Sequence, residues 1–272
     1  EARQHYDKYG RHEGRICTRP NILKIWNFLN NFKPNLVYYS KTNYKILFQR
    51  PQQIMRFFNK EYNKIFIGSI ENVEVDEKYK LLIVPYHLKD CVFNFINNNP
   101  SKFIYFTDSR LYNEITNKPE YIKIYDLIDA PIGEFKVWKP NLEKCVKNSD
   151  HVIYSHPDLV NFLNEIDNTK QYTYITNACD YEHFSKAKDR IGERPHDFPQ
   201  TNKPILGYYG AFSEWLDYDI IRKYADEGIY HVVMIGGIQG NVKYNMRFEH
   251  ANITWLDHKP YYELPYYLSW FD

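Results

Sequence analysis

The stretch Pro204–Gly237, "PILGYYGAFSEWLDYDIIRKYADEGIYHVVMIGG", decides the fold class. It opens on a short apolar and aromatic run, Ile205–Tyr209, which reads as a strand. Gly210 then lets the backbone turn tightly and come close to a ligand. Asp217–Glu227 reads as a helix, with Ser213 or Asp217 available to cap it. A second strand, His231–Ile235, ends on Gly236 and Gly237. Strand, glycine turn, helix, strand is the order of parallel strands covered on both faces.

Working outward, Ile253–Leu256 reads as a further strand and Glu263–Trp270 as a helix, and Trp270-Phe271-Asp272 looks like the start of another buried strand. About three strands are expected here, whereas a doubly wound domain usually has five or six. Upstream the same alternation holds. Strands are expected at Leu36–Ser40, Lys64–Ile67, Leu81–Pro85, Phe103–Phe106, Ile122–Ile128, His151–Ser155 and Tyr172–Thr176. Helices are expected at Pro51–Asn59, Lys89–Asn98, Phe135–Lys147 and Pro157–Glu165. Between Tyr181 and Lys203 the pattern lapses into a charged, proline-bearing stretch that reads as an interdomain linker. The expected fold is α/β with two Rossmann-like domains. A helical N-terminal extension (1–34) precedes an acceptor domain (35–180), the linker (181–203) and an incomplete donor domain (204–272).

Composition narrows the function. The 272 residues carry 35 Lys and Arg against 34 Asp and Glu, a formal charge of +1 with the signs interspersed. Without a basic stripe, nucleic acid is not an expected partner. Cys17, Cys91, Cys145 and Cys179 lie far apart, with no CxxC pair and no metal-ligand spacing. So few cysteines fit a reducing cytoplasm better than an oxidised scaffold. No apolar run approaches the ~18 residues of a membrane span, so membrane association is expected to be peripheral, at the inner face. Glu1 follows neither an initiator Met nor an apolar signal region, and the N-terminus reads as cut from something longer.

In open parallel sheets ligands bind beyond the carboxyl ends of the strands. That rule selects the bend Gly210, Ala211, Phe212 and Ser213, and the pair Gly236 and Gly237. A helix N-terminus after such a bend presents N–H groups that suit a phosphate. Neither stretch is a GxGxxG fingerprint or a Walker loop, and a glycine turn also has a purely structural reading. His258 and Lys259 follow another strand; Lys259 could meet phosphate or simply be solvated. In the earlier domain "IKIYDLIDAP" places Asp126 and Asp129 at or near the end of a buried strand. A carboxylate there can accept a hydroxyl proton or hold sugar hydroxyls, or it can be a satisfied structural group. Arg50 stands before Pro51, a good first helical residue. It could bind an anionic or hydroxylated substrate or pair with a surface carboxylate. His156 faces the same end of the sheet, with a structural role as the alternative. No Ser-His-Asp pattern, HExxH or Cys/His cluster supports nucleophilic or metal-dependent hydrolysis.

The order of motifs is more specific than any one of them. Gln49-Arg50-Pro51-Gln52 opens a helix, and Tyr125, Asp126 and Asp129 mark a strand end. "SDHVIYS" (Ser149–Ser155), "NACDYEHF" (Asn177–Phe184), "GYYGAFSEWLD" and "NITWLDHKPYYELPYYLSWFD" follow in turn. From about Gln49 to Asp272 this series resembles the GT-B type glycosyltransferases of the bacterial group-1 class, closest to those building capsules, O-chains and teichuronic-type polymers. Ala178-Cys179 and Asp257 depart from that pattern, which usually has Gly-Val and Gly there. "HYDKYGRHEGR" resembles the tail of a helical repeat that often precedes such domains.

The resemblance implies a hexosyltransferase that moves a sugar from a nucleotide-diphosphate donor to a glycan or lipid-linked glycan acceptor. The implied stereochemistry is retaining, with the phosphate itself able to take the proton. Asp129 or Asp126 would be the base of an inverting enzyme. The Gly210–Ser213 bend, Gly236–Gly237, His258 and Lys259 would line the donor side, and Arg50 and His156 the acceptor side. No cofactor or metal is implied beyond the nucleotide sugar as co-substrate. In this class an acidic donor-binding motif closes the second domain. It would lie beyond Asp272, so the chain reads as a fragment lacking about a hundred residues. The alternative reading is a non-catalytic nucleotide-binding or scaffolding module that needs another segment or chain.

Overall fold

The computed structural model describes residues 19–31, 34–46, 48–96, 103–115, 121–239 and 247–272. The opening "HYDKYGRHEGR", Gly10, Gly14, Cys17 and the expected end of the helix at Asn98 lie outside the described residues. The chain divides into two compact units, Glu1–Tyr44 with Phe48–Ala178, and Cys179–Asp272 with Lys45–Leu47.

The first unit runs α1 (Arg19–Asn31), β1 (Pro34–Asn43), α2 (Arg50–Phe57), β2 (Asn63–Ser69), β3 (Glu74–Asp76), β4 (Leu81–Pro85) and α3 (Lys89–Ile96). It continues with β5 (Phe103–Phe106), α4 (Tyr112–Ile115), β6 (Ile122–Leu127), α5 (Lys139–Asn148), β7 (His151–Tyr154), α6 (Leu159–Ile166) and β8 (Thr173–Tyr174). These strands form one sheet in the order β3-β4-β2-β1-β5-β6-β7-β8. Every pairing is parallel except that of β3 with β4. All of β4 is buried, as expected for a parallel strand covered on both faces. One face packs Val37, Tyr39, Phe106 and Tyr125 in a common core with α1; the other packs Leu36, Tyr38, Phe66 and Tyr105 with Met55 of α2.

Two sequence expectations change here. α1 is not an appendage: its Ile25, Phe28 and Leu29 are core residues, and the Asn21 side chain accepts a hydrogen bond from the Val73 amide at 3.2 Å. The segment expected as a helix from Phe135 starts as a 3-10 turn over Gly133–Trp138 and becomes α-helical only at Lys139, where Pro140 supplies a favourable early position.

The second unit contains α7 (Tyr181–Phe184), β9 (Ile205–Tyr209), α8 (Tyr218–Glu227), β10 (His231–Ile235), β11 (Ile253–Leu256) and α9 (Leu264–Leu268). Its three strands are parallel in the order β11-β10-β9. The stretch expected to link two domains, Tyr181–Lys203, is instead built into this unit. Phe198 is buried with Ile205, Val233 and Tyr267. The guanidinium groups of Arg190 and Arg194 lie 4.8 and 5.1 Å from the Trp270 ring centroid. Arg194 also donates to the carbonyls of Pro199 and Thr201. Such a segment shows no periodicity because arginines and one buried phenylalanine hold it, not a repeating apolar face.

The chain's last residues close against β9. The Asp272 amide donates to the Ile205 carbonyl at 3.1 Å, and the Asp272 carboxylate accepts from the Ile205 amide at 3.0 Å. Phe271 lies over Gly207, where a Cβ would stand 2.1 Å from the ring. Gly207→Ala is therefore expected to push Phe271 out of its packing and cost about 1–3 kcal/mol, read as a lower urea midpoint. An unchanged midpoint would mean that the ring is not seated there.

Candidate functional site

In the second unit the glycine turns lie at the carboxyl ends of β9 and β10. Gly210 and Gly236 both have φ of 153°, a conformation that favours glycine. The two turns are laced together. The Gly210 amide donates to the Ile235 carbonyl at 2.9 Å, Phe212 to Gly237 at 2.8 Å, and Gln239 to Phe212 at 2.9 Å. Phe212 and Ile238 form a parallel bridge, so strand pairing continues past the strand ends. A Cβ on Gly236 would lie 1.8 Å from the Gly210 carbonyl oxygen. Gly236 is thus required by the neighbouring turn. Gly237 differs: among the described residues its added Cβ would meet nothing within 4 Å.

This geometry corrects the expectation that the Gly210–Ser213 bend turns its amides toward a phosphate. The amides of Gly210 and Phe212 are engaged within the sheet, and Phe212 and Ser213 are buried. The Ala211 carbonyl accepts from the Tyr208 hydroxyl at 2.9 Å. The start of α8 is also occupied. The Asp217 carboxylate accepts from the amides of Asp219 and Ile220 at 3.1 and 3.0 Å. The positive end of the helix therefore faces its own carboxylate, which a phosphate would have to displace.

Lys259 is tied down as well. Its ammonium lies 2.5 Å from the Asp197 carboxylate, whose other oxygen accepts from the Tyr267 hydroxyl at 3.0 Å. It anchors the 181–203 segment and is not a freely solvated lysine. Burial acts to raise the Asp197 carboxyl, but the bonds from Lys259 and Tyr267 outweigh it and hold the group below its ordinary range. The sign follows from linkage. This contact stabilises the fold above the ordinary aspartate pKa, and the contribution is lost as pH falls through the lowered one. His258, next to it, is exposed.

Arg247 is the cation at this edge that the sequence did not single out. Its guanidinium donates to the Gly236 carbonyl at 3.2 Å and to Asp257 at 3.1 Å, and lies 5.0 Å from the Phe212 ring centroid. Its Nε and the Tyr218 hydroxyl are buried without a hydrogen-bond partner among the described residues. Burial raises the Tyr218 phenol, and the charge of Arg247 offsets part of that rise. No sequence signal marks Arg247, because it sits in an irregular stretch and reaches the strand ends only through the fold.

In the first unit Arg50 and Asp126 do come together, but as partners of each other. Arg50 Nε lies 2.7 Å from Asp126 Oδ2 and Nη2 lies 3.2 Å from Oδ1. The Tyr105 hydroxyl donates to the same carboxylate at 2.5 Å. Arg50 Nη1 reaches the Thr176 carbonyl at 3.0 Å and the Asn177 side chain at 3.3 Å. The pair thus fastens the start of α2, β6 and the segment after β8. The Asp126 side chain is 0 % exposed and that of Arg50 8 %. Burial lifts the Asp126 carboxyl above its ordinary range, and Arg50 and Tyr105 offset part of the rise. Enclosed and held by Arg50 and Tyr105, Asp126 has the surroundings of a structural group and does not present its carboxylate to solvent. Asp129 is half-buried two residues beyond β6. His156 is exposed in the turn after β7, where its Nδ1 accepts from the Asp158 amide at 3.3 Å.

No described helix is long and apolar enough to cross a membrane. Compared with protein-family models and with curated proteins, the chain matches none.

Proposed function

We propose that the chain acts in sugar transfer as a GT-B type glycosyltransferase, taking a hexose from a nucleotide-diphosphate donor to a hydroxyl acceptor in surface-polysaccharide synthesis. In this reading the second unit holds the donor and the first the acceptor, in the cytoplasm at the inner face of the membrane. The observation that carries it is the edge of the second sheet, where a Cβ on Gly237 would meet nothing within 4 Å among the described residues and the Arg247 guanidinium lies across the Gly236 carbonyl. A departing diphosphate needs cations and N–H donors at the point where its charge develops. A guanidinium meets phosphate through paired bonds. Its present carboxylate partner, Asp257, has a side chain that is 88 % exposed. Such a surface pair is worth about 0–1 kcal/mol, less than the charge-assisted bonds a phosphate would offer.

A retaining reaction accords with the burial of Asp126, since the donor phosphate can take the acceptor proton. Asp129 is the base in the inverting version. The reading calls for no resident metal or cofactor. The second reading, a non-catalytic nucleotide-binding module, is favoured by the same burial of Asp126.

Calorimetry with UDP and GDP separates these readings from neither being right. Saturation at about 100 times Kd is expected to stabilise the fold by about 2.7 kcal/mol. Arg247→Ala is expected to weaken binding about tenfold, with Arg247→Lys recovering part of it. Binding together with nucleotide-sugar turnover supports the transferase; binding without turnover supports the module. A chain that ignores every nucleoside diphosphate and turns over no nucleotide sugar overturns both.

A further inference from the structure

Strand order in the first sheet reverses at β1 and β5, the place where open parallel sheets receive ligands. Three chain segments converge there on one carboxylate. Glu114, in α4 beyond β5, accepts from the Tyr39 hydroxyl of β1, from the Tyr86 hydroxyl at 2.6 Å and from the Lys89 ammonium at 2.8 Å, the last two lying beyond β4. The Tyr39 and Tyr86 rings stack with centroids 5.7 Å apart. Two ammonium groups lie against the Tyr86 ring, Lys89 at 4.3 Å and Lys41 at 5.4 Å from its centroid.

The charges do not balance. Burial opposes both ions, but their contact holds the Glu114 carboxyl below its ordinary range and Lys89 above its own, so both are charged at neutral pH. Glu114 already accepts three hydrogen bonds. Lys41 is exposed and makes no ion pair among the described residues. One positive charge is left over, against the same Tyr86 ring as an ammonium whose position is already fixed. Holding Lys89 in advance reduces the ordering cost of binding an anion. Lysines serve phosphate as point charges and do not require the planar fork of a carboxylate clamp.

We infer that Lys41 and Lys89, framed by Tyr86 and Glu114, form a subsite for a phosphate group. This rests on the transferase reading only in taking that phosphate to belong to the acceptor, whether a free sugar phosphate or a lipid-linked diphosphate.

Inorganic pyrophosphate is the probe, titrated by calorimetry against the whole chain. Lys41→Ala is expected to weaken pyrophosphate binding about tenfold, with Lys41→Arg close to wild type, Arg247→Ala without effect on this site, and the unfolding temperature unchanged. Equal affinity in wild type and Lys41→Ala, or no binding by wild type, overturns the subsite. UDP is titrated in parallel. A chain that binds UDP but is indifferent to Lys41→Ala loses the subsite and keeps the donor reading; a chain with the opposite pattern does the reverse. Vesicles of phosphatidylcholine with and without a polyprenyl diphosphate decide the source. Lys41-dependent sedimentation with the diphosphate vesicles alone supports the subsite and assigns a lipid acceptor. Pyrophosphate binding without sedimentation supports it and assigns a free phosphate.

Discussion

Gly236→Ala is expected to disrupt the carboxyl edge of the second sheet, while Gly237→Ala next to it stays folded. The added Cβ at 236 would stand 1.8 Å from the Gly210 carbonyl oxygen and 2.9 Å from its carbonyl carbon. Both are backbone atoms, so no side chain can swing aside to relieve the overlap. The backbone must retreat, and the bonds from Gly210 to Ile235 and from Phe212 to Gly237 go with it. Residual strain at a φ of 153° adds about 1–3 kcal/mol, and each lost hydrogen bond about 1 kcal/mol. A loss on the order of 3–5 kcal/mol follows. Urea unfolding measures it, and hydrogen exchange at the Phe212 amide localises it. The site reading adds that nucleoside diphosphate binding disappears in Gly236→Ala and survives in Gly237→Ala. A Gly236→Ala protein as stable as wild type would mean that the two turns do not cross.

Asp126→Ala is expected to cost about 3–5 kcal/mol, because it leaves the Arg50 charge without its partner in a protein interior. The magnitude is large for a reason distinct from the worth of the pair. Two ions were taken out of water to make it, and only their contact offsets that cost. Replacing both, as Arg50→Met with Asp126→Leu, is therefore expected to recover most of the loss, a clear failure of additivity. Denaturant unfolding of the two single variants and the double variant gives the coupling. A catalytic Asp126 would show the opposite pattern, with turnover lost in Asp126→Asn while the unfolding midpoint hardly moves.

Much of the fold is legible before any coordinates. The strands expected at Leu81–Pro85, Phe103–Phe106, Ile205–Tyr209, His231–Ile235 and Ile253–Leu256 coincide with β4, β5, β9, β10 and β11. Each is a short apolar or aromatic run bounded by turn residues, and a buried parallel strand needs little else. β3 escaped notice because three residues with one exposed valine carry no period. The 181–203 segment misled because charge and proline usually mark linkers, yet two arginine guanidinium groups against Trp270 and the buried Phe198 hold it in the second unit.

The candidate site was less legible. Sequence placed Gly210, Gly236, Asp126 and Lys259 at or just after strand ends and Arg50 at a helix start, which is a statement about position along the chain. It could not say whether their polar groups face outward or are satisfied within the protein. That is decided by partners such as Ile235, Asp197 and Tyr105, distant in sequence and brought near only by folding. Periodicity and turn chemistry are local, so the amino-acid order alone determined the alternating parallel architecture and where its strands end. Hydrogen bonding and burial are not local. Tertiary structure alone decided that Asp126 and Lys259 are locked in ion pairs, that Arg247 reaches the Gly236 carbonyl, and that Lys41 and Lys89 lie against the Tyr86 ring.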